Sequence, residues 1–214
     1  NNKKIKLTFS DTFFLILSFN LLLIALLKAF YWKFTKQLFL SVFAQRYANQ
    51  YLKEENVFTE RVTLLVTIIM LINTSLFFAK SIYGADLAPI EFWYTGLVIA
   101  IFFIVKLIVI RLLGHIFMLN ALAKLGVYFF FLFDRVMGIV LFPIVIFMFF
   151  SPINANSVLI FFSAGIILAF LLIKVFWIWK IGIAGFGLSK IYLFLYLCML
   201  EILPLLVFTK VVFY

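Results

Sequence analysis

The chain has 214 residues, of which 67% are apolar and 12% charged, and its mean hydropathy is +1.26. Soluble domains hold about 45 to 50% apolar residues, so this composition excludes one and defines an integral membrane protein. A formal charge of +10 would suit nucleic acid in a soluble protein, but here the cations flank apolar runs and follow membrane topology, so no nucleic-acid partner is expected.

The chain begins at Asn1 rather than at a methionine and shows no signal peptide, so its natural start is expected upstream. Lys3, Lys4 and Lys6 make a basic lead-in, and Asp11 with Thr12 can cap the first span, residues 12–30. Asn20 is the one strongly polar residue inside it, an amide suited to a helix-to-helix hydrogen bond. Residues 34–53 then read as an amphipathic interfacial helix. Phe34, Leu38, Val42, Phe43 and Tyr47 recur at helical spacing, and Lys36, Gln37, Ser41, Gln45, Arg46 and Asn49 take the other side. Such a helix either lies in the headgroup layer or offers Phe34, Leu38, Val42, Phe43, Arg46 and Tyr47 to a partner. The charged residues from Lys53 to Arg61 read as a solvated connection.

The second span is residues 63–79, where Asn73, Thr74 and Ser75 match a glycosylation sequon that membrane depth makes unusable. Residues 80–91, with Gly84, Asp86 and Pro89, read as a loop. The third span, 92–113, carries two cations. Arg111 can snorkel to the interface, whereas Lys106 lies deeper and calls for an internal partner. Residues 114–126, with His115, Asn120 and Lys124, read as a second interfacial segment. The fourth span, 128–150, holds Asp134, Arg135 and Pro143; adjacent residues point about 100° apart on a helix, so the two charges reach different neighbours.

The fifth span, 158–179, ends in Lys174, Trp177, Trp179 and Lys180, an aromatic and basic interfacial anchor. Gly182, Gly185 and Gly187 lack nucleotide-binding spacing and read as a helix stop before a new cap at Ser189. The sixth span, 188–210, places Glu201 near mid-membrane, where a charge costs about 2.5 to 3.5 kcal/mol. Pro204 offers no N–H to the carbonyl of Leu200, so carboxyl and carbonyl form one polar spot. The 31 phenylalanines, spread over every apolar run, read as lipid-facing filler. One cysteine, Cys198, and one histidine, His115, build no disulfide framework and no zinc site, and no cofactor is expected.

The fold expectation is an all-α polytopic bundle in a single domain, residues 1–214, with about six transmembrane helices and one or two amphipathic interfacial helices. Of the 18 basic residues, Lys3, Lys4, Lys6, Lys80 and Lys210 fall on the side of the N-terminus. The larger remaining group belongs in the cytoplasm, which puts both termini outside, in the periplasm of a bacterial inner membrane.

Two runs carry a family resemblance: FAQRYANQYLKEENVFTERVTLL, residues 43–65, and LSKIYLFLYLCMLEILPLLVFTK, residues 188–210. Their distinctive parts are Arg46 and Tyr47 ahead of Lys53, Glu54, Glu55 and Asn56, and the pattern Tyr196, Cys198, Glu201, Pro204. The chain resembles a Bacteroidota multi-pass inner-membrane family, a domain of unknown function. The resemblance implies an inner-membrane location and supplies no activity.

Three functions fit these residues. The first is a non-enzymatic subunit or scaffold of an envelope or protein-export assembly, with the lipid bilayer and other inner-membrane proteins as partners. The second is a transporter or ion-coupled protein in which Glu201, Pro204, Lys106, Asp134 and Arg135 line a polar path. The third is an enzyme on a lipid-linked substrate, for which only Glu54, Glu55, Glu60 and His115 are at hand, without a metal-ligand motif or a nucleophile paired with a base.

Overall fold

The computed structural model describes residues 2–43, 57–84, 87–116, 120–150 and 156–186. These form six helices: α1 (Asn2–Phe30), α2 (Trp32–Phe43), α3 (Val57–Tyr83), α4 (Pro89–Ile116), α5 (Asn120–Phe150) and α6 (Asn156–Phe186). No strand occurs among the described residues. Five stretches are long and apolar enough to cross a membrane: Thr12–Phe30, Arg61–Tyr83, Pro89–Leu112, Phe131–Phe150 and Val158–Trp177. The all-α architecture and the first five spans thus stand as expected; the sixth lies outside the described residues.

The helices run further than the apolar runs that identify them. The basic lead-in is helical from Asn2, and α3 begins at Val57, taking Glu60 and Arg61 into a helix where a solvated connection was expected. The loop expected over 80–91 shortens, because α3 continues to Tyr83 and α4 starts at Pro89. Gly84 supplies the left-handed turn, φ +59°, that ends α3. Pro89 suits the first helical position, and the Glu91 carboxylate accepts a hydrogen bond from the Ala88 backbone N–H at 2.8 Å, half of a capping box. Of the second interfacial segment expected over 114–126, residues 114–116 end α4 and 120–126 begin α5, outside the stretches apolar enough to cross a membrane, and residues 117–119 lie outside the described set. Helix α6 passes through Gly182 and Gly185 rather than stopping there. Lysine, glutamate and arginine are good helix formers, so the charged flanks carry the helices past the apolar runs, and glycine is more readily accepted in membrane helices than in soluble ones.

Contacts divide the chain into two compact units, residues 1–102 with 131–164 and residues 103–130 with 165–214. The first holds the described core. On α1, Phe13, Leu17, Asn20, Leu23 and Leu27 form one buried stripe at helical spacing, while Phe14, Leu15, Phe19, Leu22 and Leu26 point outward. Leu23 and Leu27 pack with Val62, Val66 and Ile69 of α3, and Phe34 and Ile139 close over this cluster. Helices α3 and α5 are the most enclosed, with 56% of each spanning stretch buried against 11% for Val158–Trp177.

Helix α2 continues the hydrogen-bond ladder of α1 through Tyr31, whose N–H donates to Leu27 O at 3.0 Å and whose carbonyl accepts from Thr35 N–H at 2.9 Å. Its apolar side turns into the bundle, and Leu38 and Val42 are 1% and 0% exposed. Of the residues that the sequence offered to a partner, Leu38 and Val42 are thus buried within the chain and Phe34 is half-buried.

Gly138 of α5 permits the closest approach in this unit. A Cβ there would lie 2.6 Å from the Met70 backbone Cα on α3. At Gly96 it would meet the Ser75 side chain, at 3.4 Å from Oγ and 3.7 Å from Cβ, and at Gly165 nothing within 4 Å. Gly138→Ala is accordingly expected to destabilise the protein by about 1–3 kcal/mol, the usual cost of overpacking, while Gly165→Ala is neutral. Thermal unfolding in detergent reads the difference; equal melting temperatures for the two variants would remove the close contact.

Candidate functional site

The functional candidates of a membrane protein are its polar groups at membrane depth, since each must be satisfied inside the protein. Hydroxyls are settled locally. Thr67 donates to Thr63 O, Thr74 to Met70 O and Ser75 to Leu71 O, each within one helical turn and at 2.6 to 2.7 Å. Amides cannot be satisfied this way, and they build the central feature of the first unit.

Asn20 of α1 and Asn73 of α3 are both 0% exposed. The Asn73 amide nitrogen donates to the carbonyl oxygen of Gly138 on α5 at 2.7 Å, and its amide oxygen accepts from the Asn20 amide nitrogen. Three helices are thereby joined by two hydrogen bonds. At 1.5 Å per residue Asn20 lies about 12 Å from Thr12 and about 15 Å from Phe30, close to mid-span. The orientations are fixed in sequence. A carbonyl only accepts, so Asn73 must turn its NH2 to Gly138, which turns its oxygen to Asn20, which must answer with its own NH2. The remaining atom, Asn20 Oδ1, is buried and has no hydrogen-bond partner among the described residues.

On one side of this joint, Arg135 Nε donates to the Thr67 hydroxyl at 2.9 Å, and the guanidinium lies 5.7 Å from the centre of the Phe131 ring. Arg135 thus ties α5 to α3 as well, and its neighbour Asp134 is half-buried. On the other side, Phe13 packs against Phe149 at 5.4 Å and edge-on to Phe92 at 6.3 Å. The Lys80 ammonium stands 5.3 Å over the Phe149 ring, in the last turn of α3, where a cation also favours the helix dipole.

In the second unit Lys106 of α4 is 6% exposed and Lys174 of α6 is 2% exposed, whereas Arg111 is exposed. The contrast between Lys106 and Arg111 follows the sequence reading. Lys174 does not: with Trp177 it was assigned to an interfacial anchor, and both are buried. A lysine near the end of an apolar run looks the same in sequence whether it snorkels outward or turns inward. Glu201, Pro204, Arg46 and Tyr47 lie outside the described residues, and of Phe43 only the helical backbone is described. Among the described residues no three metal-ligating side chains come together.

Sequence reasoning foresaw an interhelical role for Asn20 but not its partner. Asn73 was hidden in a sequon that depth disables, and Gly138 carried no signal, because its part depends on Met70 across the interface.

Five membrane-length apolar helices and amide bonds linking them at mid-span define a polytopic α-helical membrane protein. The chain belongs to the family described as a domain of unknown function, DUF4271, whose sequence pattern matches residues 13–212. No curated protein and no solved structure matches it.

Asn73→Leu breaks both bonds of the joint, whereas Asn20→Leu breaks one. The first is expected to cost about 1–2 kcal/mol and the second about half of that, in keeping with interhelical bonds in membranes. Melting temperatures in the same detergent give the ranking; a larger loss for Asn20→Leu would contradict the relay.

Proposed function

We propose that the chain is a non-enzymatic subunit of a bacterial inner-membrane assembly, with the envelope or protein-export machinery of Bacteroidota as its setting. The observation that carries this reading is how the polar groups of the first unit are used. Asn20, Asn73, Thr67 and Arg135 bind α1, α3 and α5 to one another, as a framework that presents its outer faces requires. The connection between α3 and α4 is too short to hold an extramembrane domain, which leaves the helix faces to meet other proteins there. Partners are other inner-membrane proteins together with lipid. Affinity purification of the tagged chain from its native membrane in mild detergent is expected to bring a stoichiometric companion. Recovery of a lone monomer, with no cross-linked neighbour in cells, overturns the reading.

A second reading, a transporter or ion-coupled protein, is favoured by one observation: Lys106 and Lys174 are both buried in the second unit. Such residues are held at membrane depth against a large desolvation cost, which transport sites accept for function. If this reading holds, Lys106→Ala leaves a folded protein that has lost a solute- or ion-dependent growth phenotype. If it fails, the phenotype of the folded variant matches the wild type.

We infer from the smaller number of basic residues on that side that both termini lie in the periplasm, and the α3–α4 connection with them. In a Cys198→Ser background, Ala85→Cys is expected to react with a membrane-impermeant thiol reagent added to cells with permeabilised outer membranes. Labelling only after inner-membrane disruption would reverse the orientation.

A further inference from the structure

We propose that the outer face of α1 and α2 seats an anionic phospholipid, with its phosphate on Lys28, Lys33 and Lys36 and its acyl chains along the apolar surface below them. The helical ladder continues through Tyr31, so positions on α1 and α2 can be counted on one helix. At 100° per residue, Lys28, Trp32, Lys36 and Lys33 fall within about 140° of its circumference. All four are exposed, whereas Leu27 and Leu38, on the opposite side, are buried. No ion pair holds any of the three lysines among the described residues. The one carboxylate within α1 and α2 is Asp11, about 25 Å along the axis from Lys28, so no acid on the same helices neutralises the patch.

The depth of the lysines suits a headgroup. The spanning stretch of α1 ends at Phe30, which puts Lys28 in its last turn and Lys33 and Lys36 about 4.5 and 9 Å beyond it along the axis. The headgroup layer extends about 5–8 Å past the hydrocarbon core, so the three ammonium groups bracket the phosphates. Phe30 and Trp32, 75% and 57% exposed, add aromatic rings at the same level. The surface beneath commits this face to a phospholipid rather than to a soluble anion or an acidic peptide. Leu15, Phe19, Leu22 and Leu26 lie below Lys33, within about 40° of it around the helix, and all are exposed. A phospholipid carries an anion and apolar chains in that order, whereas a soluble anion would use the upper half alone.

The full-length protein in neutral detergent, offered phosphatidylglycerol and phosphatidylcholine with the same acyl chains at equal concentration, is expected to retain mainly phosphatidylglycerol, counted by native mass spectrometry. Lys33→Gln combined with Lys36→Gln, both at exposed positions and expected to fold, should cut that preference by at least about fivefold, the worth of one lysine near an anionic surface. Lys3→Gln combined with Lys4→Gln removes equal charge toward the other end of α1 and is expected to leave the preference in place. No preference in the wild type, or a loss from the first pair no greater than from the second, overturns the proposal. Inorganic phosphate and a glutamate-rich peptide, each at the concentration of the lipid, are expected not to displace it. Displacement by either assigns the patch to that ligand and overturns the phospholipid.

Discussion

The amide relay from Asn20 through Asn73 to the Gly138 carbonyl is the constraint on which the rest of the first unit depends. Its geometry rests on a close contact one turn away. Met70 lies against Gly138 so tightly that no Cβ fits between α3 and α5, and Asn73 is three residues from Met70 on the same side of its helix. The short approach of the two backbones lets an asparagine side chain span the gap and reach a main-chain oxygen. A larger residue at position 138 would move α5 outward and leave the amide short of its acceptor. The polar bond therefore depends on the packing, because the amide reaches its acceptor only at the approach that Gly138 allows.

Around this joint the helix surfaces divide by what they face. Helices α3 and α5 turn most of their circumference inward, α1 turns one stripe, and the outer side of α1 shows phenylalanine and leucine to lipid. This is why so apolar a chain carries little amphipathic signal in its spans: both sides are hydrophobic, and only position relative to the joint distinguishes them. Helix α2 is the exception. Its polar side and its apolar Leu38 and Val42 produce a clear amphipathic pattern, and the bundle itself buries those two residues. Sequence cannot separate a helix that shields its own core from one that waits for a partner, because both need the same alternation of faces.

The spans were legible because crossing a hydrocarbon layer takes about 20 apolar residues, a requirement written in composition alone. Helix ends were not. Lys3 and Glu60 mark the ends of apolar runs without ending a helix, and Gly182 and Gly185 would punctuate a helix in a soluble protein, yet the helices run through all four. The site was legible in halves. Asn20 stood out as the one amide in an apolar span, and Lys106 was separated from Arg111 by its distance from the interface. Asn73 was masked by neighbours that form a recognisable but irrelevant motif. Lys174 was masked by tryptophans that suit an interface equally well. Gly138 was silent, since a glycine's value in a membrane helix is set by what approaches it, and that is a tertiary fact.

The joint also answers a difficulty that so uniform a composition creates. Helices rich in Phe, Leu, Ile and Val present similar surfaces at successive turns, so sliding one against another by a turn changes dispersion energy little. A polar bond removes that degeneracy. Shifting α1 by one turn moves Asn20 about 5 Å along the axis, beyond hydrogen-bond reach of Asn73, and strands amide groups where no solvent can replace the partner. Moving α3 against α5 does the same to Asn73 and Gly138 and also drives Met70 into side chains that, unlike Gly138, carry a Cβ. Each bond is worth only about 1 kcal/mol as stabilisation, but the alternative registers lose the bond and bear the desolvation of its orphaned groups as well. The discrimination is larger than the stabilisation. In a bundle of nearly interchangeable apolar surfaces, two asparagines and a glycine therefore decide which arrangement of α1, α3 and α5 is native.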